Sequence, residues 1–169
     1  MPIKKIQPTV RRIQKQNNGK IGLLLTLVLP IPYHRYVNEI NYSYYSNTKI
    51  GYEVLQKSSE DINIRIADRF KKTPHIRIAE PHYDLALLFH ILYWIEEENY
   101  DELEKIITKE IKRIQGLDKL GKQCDIKKID NEDNTFAMKY MSKKIIDTRH
   151  LSDWYKFHDM RRFAHSKGY

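Results

Sequence analysis

The chain has 169 residues, 41% of them hydrophobic, and a formal net charge of +8. That length suits one domain with a substantial core. Its single cysteine, Cys124, excludes an internal disulfide framework and a multi-cysteine zinc site. The longest apolar run, Leu85 to Ile95, is interrupted by His90 and is too short to span a bilayer.

In chain order, residues 1–19 read as a polar, basic arm ending in the turn signal Asn17-Asn18-Gly19. The opening MPIKKIQPTVRRIQ lacks the apolar segment of a secretory leader, which implies an intracellular, cytoplasmic setting with no membrane association. Residues 20–169 read as a single domain. Ile21 to Leu29 (IGLLLTLVL) is short, apolar and stopped by Pro30 and Pro32, the pattern of a buried strand. Residues 35–50, rich in Tyr and Asn, have no assignable period.

Tyr52 to Lys71 places Val54, Leu55, Ile62, Ile66 and Phe70 near helical spacing and predicts an amphipathic helix. Asp101 to Ile114 predicts another, with Leu103, Ile106, Ile107, Ile111 and Ile114 on one face and Gly116 as its stop. Asp125 to Asp130 suggests a short strand, Thr135 to Ile146 a helix, and Trp154 to His165 a final helix.

The segment from His75 to Ile95 supports two readings. Asp84 is a possible N-cap for one long helix continuing toward residue 114, with His90 a core or interface residue. The alternative is a hairpin of strands 75–82 and 87–94. A turn centred near residue 85 would set Glu80 across from His90 and His82 across from Leu88. Periodicity alone does not separate them.

Three ordered stretches carry a resemblance: GLLLTLVLPIPYH (Gly22–His34), RIAEPHYDLALLFH (Arg77–His90) and TFAMKYMSKKI (Thr135–Ile145), followed by LSDWYKFHDMRRFAHSKG. The set resembles the HUH endonucleases, specifically the replication gene A (rolling-circle initiator) proteins of tailed bacteriophages. The resemblance implies the hairpin and an α+β fold, a central antiparallel β-sheet flanked by α-helices. It also implies a DNA-nicking replication initiator whose Tyr140 forms a covalent phosphotyrosine and frees a 3′-hydroxyl. The chain departs from the family pattern at Leu88, where a first metal-binding histidine would stand, at Leu85 in place of a turn glycine, and at Phe136 in place of a second tyrosine.

On a helix, Phe136, Lys139, Tyr140 and Lys143 would share one face, so a lysine beside Tyr140 would favour its phenolate. Tyr140 and Lys143 are the expected catalytic pair. Glu80, His82 and His90 are three donors suited to Mg²⁺ or Mn²⁺. Lys139, Lys144, Arg161, Arg162, Arg11 and Arg12 are expected to meet DNA, single-stranded or hairpin, because neutralised phosphates release condensed counterions. The chain has no Gly-Lys-Ser/Thr nucleotide loop, so unwinding would fall to a separate host helicase.

Each residue also has a plain structural reading: His90 as packed core, Glu80 and His82 as a surface or turn pair, Thr26 as a strand residue. Two further functions compete with nicking. One is a relative that binds DNA without cleaving it. The other is a helical interaction protein built on residues 84–114.

Overall fold

The computed structural model describes residues 3–29, 44–81, 87–113, 124–130, 153, 155–157 and 159–166. Their elements are α1 (Ile3–Gln16), β1 (Ile21–Val28), α2 (Tyr44–Phe70), β2 (His75–Pro81), β3 (Leu87–Ile95), a 3-10 turn (Glu97–Asn99), α3 (Tyr100–Arg113), β4 (Asp125–Ile129) and β5 (Phe163–His165). The strands form one antiparallel sheet in the order β4-β1-β3-β2-β5. The fold is α+β. No described helix is long and apolar enough to cross a membrane.

β3 lies at the centre of this sheet and is covered on both faces, which explains its almost unbroken apolar sequence. Side chains alternate across the sheet. Phe89, Ile91, Tyr93 and Ile95 join Leu23, Leu25 and Leu27 of β1 in a core shared with Leu55, Ile62 and Ile66 of α2 and Leu103 and Ile107 of α3. On the opposite face Leu92 and Trp94 pack with Ile76, Ile78, Phe163 and the α1 residues Val10 and Ile13. The helical alternative for 84–114 is therefore excluded: the strand ends at Ile95, and a separate helix begins at Tyr100.

Four expectations change. The segment read as a polar arm is largely helix, and Val10 and Ile13 are almost fully buried against the sheet. Pro8 lies inside α1 and removes a helical hydrogen bond, at about 3 kcal/mol in a helix interior. Burial of Val10 and Ile13 returns about 1.5–3 kcal/mol each, so packing overrides the local penalty. The turn at residues 17–19 forms as read: Gly19 adopts φ 97°, and Asn17 Nδ2 donates to the Ile13 carbonyl at 2.8 Å.

α2 begins at Tyr44, eight residues before the expected start. Gly51 hid this extension. A Cβ there would stand 2.6 Å from Leu29 Cδ1, so the glycine lets α2 pass close over the end of β1.

The third change is at the end of the chain. The helical turn expected to continue to His165 stops at Asp159, whose φ of 49° breaks the helix. Met160 N–H bonds the Tyr155 carbonyl at 2.9 Å and Asp159 N–H bonds the Lys156 carbonyl at 3.0 Å, the paired bonds of a Schellman cap. Residues 163–165 then pair with β2 as an edge strand. Arg161 and Arg162 lie in the segment that leads into β5, not on a helix.

The fourth is the hairpin register. Glu80 pairs with Leu88 and Ile78 with His90, two residues off the expected match. A slip of two preserves the face of every side chain, so Glu80 and His90 remain on one face as diagonal neighbours.

Candidate functional site

On the α1 side of the sheet, three adjacent strands bring Thr26, His90 and Glu80 into line. Thr26 of β1 is the direct cross-strand partner of His90 on β3. Its Oγ1 lies 3.1 Å from His90 Nδ1. On the other side of the ring, His90 Nε2 lies 3.2 Å from Glu80 Oε2 of β2. The His90 side chain is 10% exposed and that of Glu80 21%, so the pair opens to solvent through its carboxylate.

The hydrogen-bonding inventory allows this pair two proton arrangements. An ionised carboxylate only accepts, so His90 Nε2–H donates to Glu80 in the ion-free pair. Where Nε2 alone carries the ring proton, Nδ1 is an acceptor and the Thr26 hydroxyl donates to it. A threonine hydroxyl can also accept. It therefore supports the opposite tautomer, with Nδ1–H donating to Thr26 and the Nε2 lone pair directed toward Glu80. That second tautomer is the one in which imidazole binds a metal.

Glu80 and His90 fit adjacent positions around a small divalent ion. Octahedral coordination at about 2.1 Å places neighbouring ligands about 3.0 Å apart. The observed separation is 3.2 Å. His82, the third expected donor, lies outside the described residues, and among the described residues no group of three His, Cys, Asp or Glu is placed to hold a metal. Leu88 stands directly across from Glu80. Asp125, which the sequence reading did not single out, pairs with Thr26 on β4 and makes an ion pair with Lys127 at 3.3 Å.

Arg77, although it belongs to the same motif as Glu80, points to the other face. Its guanidinium lies 4.3 Å from the Phe89 ring centroid, and its Nη2 donates to the Tyr52 hydroxyl at 3.4 Å. Burial lowers its pKa below the usual arginine range. The Tyr52 hydroxyl also accepts from the Arg161 N–H at 3.0 Å and donates to the Arg161 carbonyl at 3.3 Å. This cluster binds the C-terminal segment to α2 and β2.

Three further tyrosines are committed to structure. The Tyr93 hydroxyl donates to Asn63 Oδ1 at 2.9 Å and the Tyr155 hydroxyl to the Ala79 carbonyl at 2.6 Å. Burial raises the pKa of both, and that of Tyr100, so none favours a phenolate. The expected catalytic residues Tyr140 and Lys143 lie outside the described residues, as do Lys139 and Lys144. Arg162 lies over the Tyr155 ring, its guanidinium carbon 5.5 Å from the centroid, while Arg161 is exposed. Arg11 and Arg12 are exposed on α1.

Thr26 was read from the sequence only as a strand residue, and its pairing with His90 is what that reading did not contain. Its only signal was a lone hydroxyl in the apolar run LLLTLVL. Its partner is 64 positions away, and no local period encodes such a pairing. No protein-family model, characterised protein or solved structure matches the chain.

Proposed function

We propose that the protein is a DNA endonuclease of the rolling-circle initiator type, nicking single-stranded or hairpin DNA through Tyr140 with the help of Mg²⁺ or Mn²⁺. The observation that carries this reading is the Thr26–His90–Glu80 line, a carboxylate and an imidazole at ligand spacing with a hydroxyl fixing the ring behind them. Glu80 and His90 would hold the ion, with His82 as third donor. Once bound, the ion would act as a Lewis acid on the scissile phosphate.

The residues themselves do the rest. The Tyr140 oxygen loses its proton, favoured by Lys143, and attacks phosphorus; the P–O3′ bond breaks, and the 3′-oxygen takes up a proton as it leaves. The covalent phosphotyrosine preserves the ester for later rejoining. Tyr52, Tyr93 and Tyr155 are all engaged in structural hydrogen bonds and are not offered as the nucleophile in this reading.

A specific observation supports a second reading, a relative that binds DNA without cleaving it. Leu88 occupies the place directly across from Glu80, so the face offers one donor fewer than a histidine there would provide. Incubation with circular single-stranded DNA and Mn²⁺, followed by denaturing electrophoresis with and without protease, separates the two. Cleavage with protein linked to DNA, abolished by Tyr140→Phe and reduced by His90→Ala, is the expected result. Binding without cleavage would favour the second reading.

A further inference from the structure

Among the described helices, charge is unevenly placed between the two sides of the sheet. α2 carries four basic and four acidic residues, and so does α3. These two helices are laced by ion pairs: Arg69–Glu102, Arg65–Glu110 at 3.6 Å and Arg113–Asp61 at 3.4 Å. α1, which packs on the opposite face, carries Lys4, Lys5, Arg11, Arg12 and Lys15 and no acidic residue. Arg11, Arg12 and Lys15 are exposed, while Val10 and Ile13 on the inner side are buried.

α1 also lies beside the candidate site. Its buried residues share a cluster with Ile78, the direct cross-strand partner of His90 and two positions from Glu80. The exposed cations Arg11, Arg12 and Lys15, carried on a helix of fourteen residues about 21 Å long, therefore lie on the same side of the sheet as the Glu80–His90 pair.

We infer that the outer face of α1 is a fixed binding surface for the phosphodiester backbone of single-stranded nucleic acid, holding the strand on the Glu80–His90 side of the sheet. This rests on the nuclease reading only for the direction of the strand; the surface itself follows from charge and packing. An anionic membrane is the other partner a basic amphipathic helix can have, but it requires an apolar face to enter the lipid. Among the described side chains of α1, the apolar Val10 and Ile13 are packed against the sheet. A nucleic-acid backbone needs only the cations.

The test is fluorescence anisotropy with a labelled oligothymidylate, without divalent ions, between about 50 and 200 mM NaCl. Each phosphate contact with a single strand contributes about 0.7 to the slope of log affinity against log salt, so the triple variant Arg11→Gln, Arg12→Gln, Lys15→Gln should lower the slope by about 2. Near 150 mM salt its affinity should fall roughly tenfold to a hundredfold. The matched α3 variant Lys105→Gln, Lys109→Gln, Lys112→Gln removes the same charge from the other face and should retain the wild-type slope. The variant Arg11→Lys, Arg12→Lys, Lys15→Arg should retain it too, which separates charge from local disruption.

Equal losses in the α1 and α3 variants, or an unchanged slope in both, would overturn the inference. So would preferential binding to vesicles of phosphatidylserine and phosphatidylcholine that depends on the three α1 cations. A selective α1 effect in a protein that never cleaves would keep this surface and reject the nuclease reading. Cleavage accompanied by equal slopes would do the reverse.

Discussion

Thr26 and His90 face each other across β1 and β3 with Oγ1 3.1 Å from Nδ1, on the side of the imidazole opposite Glu80. One hydroxyl thereby sets the direction of the ring nitrogen that meets the carboxylate. Outer hydrogen bonds of this kind typically contribute tenfold to a hundredfold in metal affinity. Thr26→Val keeps the shape and removes the hydroxyl. Titration with Mn²⁺, followed by electron paramagnetic resonance of the free ion, should show a loss of about that size. Thr26→Ser should restore most of it. Equal weakening by Ser and Val would point to packing rather than orientation.

Leu88 offers a gain-of-function test. It lies directly across from Glu80, on the same sheet face as His90. Leu88→His would place a third nitrogen or oxygen donor beside the pair. Mn²⁺ affinity should rise by about tenfold or more, equivalent to roughly 1.4 kcal/mol. No change in affinity would count against an ion at this place.

His75 should govern part of the acid sensitivity. Burial pushes its imidazole down to about 4, with smaller contributions from the nearby charges of Arg77 and His165. The neutral ring fits its surroundings: Nδ1–H donates to the Thr73 carbonyl at 3.3 Å, and Nε2 lies 3.5 Å from Asn63 Nδ2. The folded pKa is below the unfolded one, near 6.5, so protonation favours the unfolded chain. This stability is fully present above pH 6.5 and is lost as the pH falls toward 4, amounting to at most about 3 kcal/mol. His75→Phe should flatten the urea-unfolding free energy across that window. A variant that retains the full wild-type slope would assign the acid response to other groups.

Gly51 and Leu29 should be coupled. Alanine at 51 improves helix propensity by about 1 kcal/mol. It also places a methyl group 2.6 Å from Leu29 Cδ1, in a buried site where overpacking costs about 1–3 kcal/mol. Gly51→Ala alone should therefore lower the melting temperature by a few degrees. In a Leu29→Ala background the same change should be stabilising. A double-mutant cycle measures the difference directly, and additive effects would refute the contact.

The hairpin shows how far a sequence can be read. Alternation placed Glu80 and His90 on one face, and that survived because the register error was an even number of residues. α1 was missed for a different reason. Pro8 and a run of basic residues look unfavourable for a helix, and only docking on Ile76, Ile78, Leu92 and Trp94 compensates. The end of the chain was misread because Trp154 to His165 has helical composition, whereas an open hydrogen-bonding edge on β2 captures Phe163 to His165.

By itself the sequence determined the elements whose apolar period is local: β1, α3, most of α2 and the short β4, whereas for residues 75–95 the period left a long helix and a hairpin both open. Those elements depend on which side chains repeat at two or at 3.6 residues, and that is written along the chain. The tertiary structure decided the strand order, the covering of the second sheet face by α1, and the meeting of Thr26, His90 and Glu80. Those features arise between segments as many as 64 residues apart. Their free energy comes from burial and hydrogen bonding that exist only once the sheet has closed.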